Sequence, residues 1–222
     1  MNEIGQSVAR NRMVTNQIEA RGVTDELVLD AMRRVPRELF LPGDLRDAAY
    51  DDSPLPIAGG QTISQPFIVG YMIDALNLQG GETVLEIGTG SVYAAAVLAQ
   101  IVKEVFTVER IGELARDAEE TLRSLHCHNV HVRHGDGTLG WPEQAPFDAV
   151  IVAAGGPRVP ETLKSQLKVG GRMVIPIGPL ASTQELVRVT RISERDYESE
   201  TISDVRFVPL IGVEGWLTAA GE

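Results

Sequence analysis

The stretch from residue 83 to residue 93 constrains this chain more than any other. Val84, Leu85 and Ile87 make a short apolar run, Gly88 and Gly90 follow it, and an alanine-rich segment occupies residues 94–100. An apolar run of that length bounded by glycine reads as a buried strand, and the alanine run reads as a helix. The glycines let the chain turn tightly and bring bare backbone against a ligand at the start of the helix. Strand, glycine turn and helix in that order make a cofactor-binding junction, and the ligand held there decides the function.

Two templates compete at this turn. The dinucleotide pattern Gly-x-Gly-x-x-Gly puts its third glycine at Tyr93. The turn also resembles the first motif of S-adenosylmethionine-dependent methyltransferases, an acid followed by Gly-x-Gly-x-Gly, which Glu86, Gly88 and Gly90 match and Val92 does not. Each template fails once, so the turn alone leaves both open. Residues 105–109 form a second apolar strand ending in Glu109, about 20 residues beyond the turn, where a Rossmann-like fold places the acid that accepts hydrogen bonds from ribose. Residues 130–137 form a third, ending in Gly135, Asp136 and Gly137. In isolation Gly-Asp-Gly is a turn. By resemblance to methyltransferases of this class, Asp136 contacts the adenine amino group, and acids at three successive strand ends favour that functional reading.

The segment before the first strand narrows the family. Residues 51–66, and above all the Gln-Thr-Ile-Ser-Gln-Pro block at 61–66, resemble the signature of protein-L-isoaspartate O-methyltransferases, which methylate the abnormal carboxyl group of isomerised aspartyl residues in damaged proteins. Residues 13–23 and 28–42 resemble that family's helical N-terminal region, and residues 141–157, 170–178 and 205–210 follow its order. The resemblance implies an α/β class I methyltransferase fold: a mostly parallel sheet with helices on both faces, an N-terminal helical cap and closing C-terminal strands. It implies S-adenosyl-L-methionine as cofactor, held by Thr62, Ile63, Glu86, Gly88, Thr89, Gly90, Ser91, Tyr93, Glu109, Arg110, Gly135, Asp136 and Gly137. It makes Ser64 the active-site serine and assigns the substrate to Ile57, Ala58, Gln61, Thr62, Ser64 and Val208. Ser64 also precedes a proline-led helix, so an N-cap role is open to it. Val92 replaces the family's usual glycine. A β-branched residue there adds bulk toward the cofactor and disfavours positive φ, so weaker cofactor binding, partly recovered by Val92→Gly, is expected.

Composition bounds the partners. The 222 residues carry a net charge of −11, which disfavours nucleic acid, whose phosphates are neutralised by lysine and arginine. The chain also lacks the Asn-Pro-Pro-Tyr type of motif associated with nucleobase methylation, and Ala-Ala-Gly-Gly-Pro occupies residues 153–157 instead. Arg33, Arg34 and Arg37 read as the solvated face of the second helix. The histidines at 126, 128, 131 and 134 lack a remote cluster to complete a metal site, so no metal is expected. The longest mostly apolar run, residues 93–102, is too short to span a bilayer. Residues 1–10 lack the apolar core of a secretory leader, and Cys127 is the only cysteine. A monomer in the cytoplasm, free of membrane and nucleic acid, is the resulting expectation. Without a linker or repeat, residues 1–222 read as one domain, with a helical region at 1–79 containing an active-site loop at 51–66 and a cofactor-binding core at 80–222.

Periodicity places helices at 8–19, 25–34, 66–78, 114–125 and 160–167, and a fifth strand at 173–177. Closing strands fall at 185–192 and 205–210, with a charged hairpin loop at 193–200. Such alternation implies a parallel sheet covered by helices, with ligand at the carboxyl ends of its strands. A carboxylate with a pKa of about 4 is ionised near neutrality, so its methylation requires alignment and exclusion of water rather than a strong base. Three functions remain: repair of isoaspartyl residues; methylation of ordinary aspartate in a dedicated peptide; and a binding module that has lost turnover through Val92. An NAD-dependent oxidoreductase leaves residues 61–66 unexplained.

Overall fold

The computed structural model describes residues 3–180 and 182–217. Its N-terminal region is built from short helices around apolar stripes. Helix α1 (Glu3–Met13) runs through a π turn at Val14–Ile18 and a 3-10 turn at Glu19–Arg21, and ends at Gly22 with φ 100°. Helix α2 (Glu26–Arg34) starts where the Asp25 side chain accepts a 2.8 Å hydrogen bond from the Leu27 amide, and it buries Val28, Leu29, Ala31 and Met32. It stops at Val35, whose extended backbone suits the residue before Pro36. Arg37 therefore lies off α2, in the 3-10 turn Arg37–Phe40, and is wholly buried. The expected solvated face holds for Arg34 and fails for Arg37.

Strands β1 (Leu55–Pro56) and β2 (Thr62–Ile63) pair antiparallel and pinch residues 57–61 into a turn. Helix α3 (Pro66–Asp74) follows, with proline at its first position. It ends short of residue 78 because the chain unwinds through Ala75 to Asn77, which takes φ 52°.

The remaining chain alternates strand and helix: β3 (Thr83–Ile87), α4 (Tyr93–Leu98), β4 (Glu104–Glu109), α5 (Gly112–Ser124), β5 (Val130–His134), β6 (Phe147–Val152), α6 (Glu161–Ser165) and β7 (Leu167–Ile177). Strands β8 (Gln184–Arg191) and β9 (Tyr197–Val205) close it. The sheet order is β5-β4-β3-β6-β7-β8-β9, parallel through β7 and antiparallel thereafter. One core packs the N-terminal helices, α3 and α4 against one face of the sheet, joining Met13, Met32 and Ile73 to Val84, Ile151 and Val174. The second core covers the opposite face around Leu85, Phe147, Leu163 and Met173.

Three expected elements shift. Helix α6 stops at Ser165, and the Gln166 carbonyl accepts the Phe147 amide at 2.8 Å, drawing Leu167 into β7. The hairpin loop shortens to residues 193–196, where the Ser193 hydroxyl donates to Asp196 at 2.6 Å, so residues 197–200 join β9. Their charge reflects an edge strand rather than a loop. The chain leaves the sheet after Val205, so residues 206–210 are not the expected strand. The Leu210 amide donates to the Gly155 carbonyl and the Gly155 amide to the Val208 carbonyl, each at 2.8 Å.

Candidate active site

Strand order reverses its direction of growth between β3 and β6, and open α/β sheets bind ligands at the carboxyl ends of strands beside such a switch. A cavity occupies that position, lined by the ends of β3, β4 and β6, by the turn after β3 and by residues 61–64. Gly88 at φ 90° and Gly90 at φ 51° form its floor. A side chain on Gly88 would meet Ala153 at 3.6 Å, so the backbone itself faces the cavity there. Thr89, Ser91 and Tyr93 complete the turn as lining residues.

Glu109 holds this turn in place. One carboxylate oxygen accepts the Gly90 amide at 2.9 Å and the other accepts the Ile111 amide at 2.9 Å, which leaves lone pairs for hydroxyl donors from the cavity that it also lines. Arg110 joins it in the wall. Glu86 is the buried acid of the floor. Its Oε2 accepts from the Thr107 hydroxyl at 2.6 Å, Thr89 Oγ1 lies 2.6 Å from Thr107 Oγ1, and Glu86 Oε1 is buried without a partner. Burial pushes its carboxyl up to about 8 against the pull of the Thr107 hydrogen bond, and the nearby Glu109 charge adds to the rise.

The loop at 51–66 brings Gln61, Thr62, Ile63 and Ser64 to the cavity's mouth. Ser64 Oγ makes no hydrogen bond within the described residues. Gln65, not Ser64, occupies the cap position of α3, without a side-chain cap bond, so the N-cap role is not realised. Thr62, Ser64 and Val208 also line an adjoining groove of about 740 Å³, so the serine stands where the cavity and the groove meet. Ile57 and Ala58 sit just outside the cavity wall. Ile57 Cδ1 approaches Gly90, and the turn at 58–60 rests on Ile111.

Gly137 reaches the cavity, and a methyl group there would strike Ile87 at 2.5 Å. Gly135 stays behind it, its amide bound to the Glu109 carbonyl at 2.9 Å. Asp136 is not among the residues lining the cavity. Its Oδ1 accepts from the amide and hydroxyl of Thr138, at 2.8 and 2.7 Å, and its Oδ2 accepts the Val213 amide at 2.8 Å. The residue ties down a C-terminal strap. Pro209, Leu210 and Ile211 of that strap close the cavity, the Glu214 carboxylate accepts from the amide and hydroxyl of Thr162, and the Trp216 indole donates to the Gly155 carbonyl at 3.0 Å. Sequence reading missed this wall, because an irregular strap has no periodicity to betray it.

Val92 corrects an expectation. It takes the left-handed conformation, φ 63° and ψ 9°, but its side chain is fully buried in the helical core and does not line the cavity. The bulk expected against the ligand is directed elsewhere, and only the backbone strain remains.

A switch-point cavity with a glycine floor, an acid gripping that floor and a second acid buried beneath it defines a class I methyltransferase. The solved structures agree. A protein-L-isoaspartate O-methyltransferase, 30% identical, superposes with a TM-score of 0.84 over 93% of this chain and 67% of its own. A Plasmodium falciparum protein assigned to the same activity and solved with S-adenosyl-L-homocysteine, 25% identical, gives 0.77 over 91% and 98%. Protein-L-isoaspartate O-methyltransferase 1 of Rhodopseudomonas palustris (strain HaA2) is 63% identical over 96% of this chain and 87% of its own. The model of the protein-L-isoaspartate(D-aspartate) O-methyltransferase family matches residues 8–215, and the chain belongs to that family.

Proposed function

We propose that this chain transfers the methyl group of S-adenosyl-L-methionine to the free carboxyl group of L-isoaspartyl residues in damaged proteins and peptides, with D-aspartyl residues as further substrates. The observation that carries the reading is Ser64, which lines both the cavity and the adjoining groove and makes no hydrogen bond among the described residues. The residues present fit the cofactor. The orphaned Glu86 oxygen suits a cationic group, and the glycine floor admits a ligand against bare backbone. Glu86 would face a cationic part of the cofactor, Glu109 its ribose hydroxyls, and Gly88, Thr89, Gly90, Ser91 and Tyr93 its methionine end. Thr62, Ile63, Arg110 and Gly137 would complete the walls. The bound cofactor supplies a sulfonium methyl carbon that is already electrophilic.

The chain's own task is placement. A carboxylate with a pKa of about 4 arrives ionised and needs no base. The Ser64 hydroxyl donates to one carboxylate oxygen and leaves the other turned toward the methyl carbon. The strap and the loop at 57–64 exclude water that would stabilise the nucleophile. The following backbone amide nitrogen then attacks the ester carbonyl, loses its proton and expels methanol to give a succinimide, whose hydrolysis by water returns part of the material to normal aspartate. Gln61, Ile57, Ala58 and Val208 would border the bound peptide. Residues 1–222 are read as one working unit, because the loop from the N-terminal region and the turn from the sheet line one cavity and share one core. A monomer in the cytoplasm belongs to the same reading, supported by the acidic charge and the unpaired Cys127. No helix among the described residues is long and apolar enough to cross a membrane.

Radiolabelled methyl transfer to two peptides, identical except for isoaspartate or aspartate at one position, tests this. Base-labile label is expected on the isoaspartyl peptide alone. Label on the aspartyl peptide instead would replace repair with methylation of ordinary aspartate.

Val92 yields a separate expectation. Val92→Gly relieves a left-handed conformation worth about 1–2 kcal/mol, but loses a buried valine worth about 1.5–3 kcal/mol and adds the roughly 0.5–1 kcal/mol entropy cost of glycine. A net loss of about 1–2 kcal/mol in denaturant melts is expected from these terms. Affinity for S-adenosylhomocysteine, measured by calorimetry, should stay within about twofold because the side chain faces the core. A clear gain in affinity would show that the valine does hinder the cofactor.

A further inference from the structure

Arg37 is the only buried cation among the described residues, and no carboxylate lies within ion-pair distance of it. Taking a guanidinium out of water without an ion pair is costly even though the nearby Asp52 charge favours the cation, so its contacts show what the burial achieves. Nε donates 2.8 Å to the Ala49 carbonyl, and the guanidinium carbon lies 4.9 Å from the centre of the Tyr93 ring. Its two terminal nitrogens have no hydrogen-bond partner among the described residues. Burial lowers its pKa to about 10, still far above neutrality, so the charge is retained.

One contact belongs to the site and the other leads to it. Tyr93 lines the cofactor cavity, and Phe40, from the same turn as Arg37, packs edge-on against its ring at 5.4 Å. Ala49 begins a stretch that leads directly to the catalytic loop and is anchored along its length. Gln17 donates to the Tyr50 carbonyl at 3.0 Å, Arg21 pairs with the Asp52 carboxylate at 2.7 Å, and Gln65 donates to the Asp52 carbonyl at 3.2 Å. Gln65 is the neighbour of Ser64. The cofactor turn has its own support, since Glu109 grips the Gly90 amide and the Val92 amide donates to the Thr89 carbonyl at 2.8 Å. Arg37 is the contact that joins these two separately anchored elements, through the Ala49 carbonyl on one side and the Tyr93 ring on the other.

We propose that Arg37 is a positioning residue for methyl transfer: by bridging the Ala49 carbonyl and the face of Tyr93, it fixes the loop that carries Ser64 relative to the turn that carries the cofactor. This rests on the role proposed for Ser64. Lysine cannot reproduce the arrangement, because its single ammonium has neither the Nε donor position nor a planar face to lay on the ring.

The test compares Arg37→Met and Arg37→Lys in the full chain with Leu122→Ala, a buried substitution on α5 away from the loop. Below the melting temperature of every variant, Arg37→Met should lower kcat toward the isoaspartyl peptide about tenfold or more. Arg37→Lys should recover part of this. Affinity for S-adenosylhomocysteine should stay within about threefold, and Leu122→Ala, although less stable, should keep wild-type kcat and KM. Hydrogen exchange gives a readout independent of activity. Amide protection over residues 49–65 should fall in both Arg37 variants and hold in β3 and α5. Unchanged protection of the loop, or kcat matching the wild type per folded molecule, would overturn the proposal. So would lost cofactor affinity with an unaltered loop. If Arg37→Met does not fold, exchange in Arg37→Lys decides. If the wild type itself fails to label isoaspartate, the functional reading falls, while loop exchange still judges Arg37.

Discussion

Ser64→Ala is expected to lower kcat toward an isoaspartyl peptide about 10- to 100-fold, the range that follows from a hydrogen bond to a charged group worth about 1.5–3 kcal/mol. Cofactor affinity and melting temperature should not move. Ser64 Oγ has no hydrogen-bond partner among the described residues and does not cap α3, so its removal deletes no hydrogen bond seen there. Its position at the junction of cavity and groove ties the loss to the carboxylate being methylated rather than to the cofactor. Steady-state kinetics, calorimetric titration with S-adenosylhomocysteine and a thermal melt on the same preparation are sufficient. Intact turnover with a lowered melting temperature would return Ser64 to a purely structural role.

A comparable effect is expected from pH through Glu86. Its carboxyl titrates near 8 in the folded chain, against about 4.3 in an unfolded one. Between those values the unfolded chain has released a proton that the folded chain keeps, so this residue's contribution to stability falls as pH rises through the window and levels off above about 8. A cationic ligand reverses the preference by favouring the ionised form. Affinity for S-adenosylmethionine should therefore rise between pH 6 and pH 8 by up to about tenfold per unit, with proton release visible as a dependence of binding heat on the buffer's ionisation enthalpy. Glu86→Gln should flatten the dependence and abolish the release. An equal slope in both proteins would place the titrating group elsewhere.

What was legible in the sequence follows from how local each signal is. The glycine turn, the acid of β4 and the loop at 61–64 announced themselves because each is a contiguous pattern whose backbone demands are set by its own residues, and the structure gathers them around one cavity. A residue type in the right place does not disclose all its partners: the Asp136 carboxylate accepts the amide of Val213, 77 positions away, which no local pattern announces. Val92 misled, since a left-handed residue sends its side chain into the core, whereas a substitution at a ligand turn suggests a clash with the ligand. Arg37 was read with Arg33 and Arg34 as one solvated face. Pro36 was the available warning, because proline disfavours helix at the residue before it and so removes Arg37 from that face.

The strap bears on the order in which the molecule is made. Residues 209–211 supply a wall of the cavity, and the contacts holding them come from Asp136, Thr138, Gly155 and Thr162, together with strap residues as far as Trp216. During synthesis the glycine turn, its acids and the Ser64 loop all leave the ribosome before the segment that encloses them. A nascent chain can thus pair its parallel strands while its binding chamber still lacks a side, and cofactor capture becomes a late event in the life of the polypeptide.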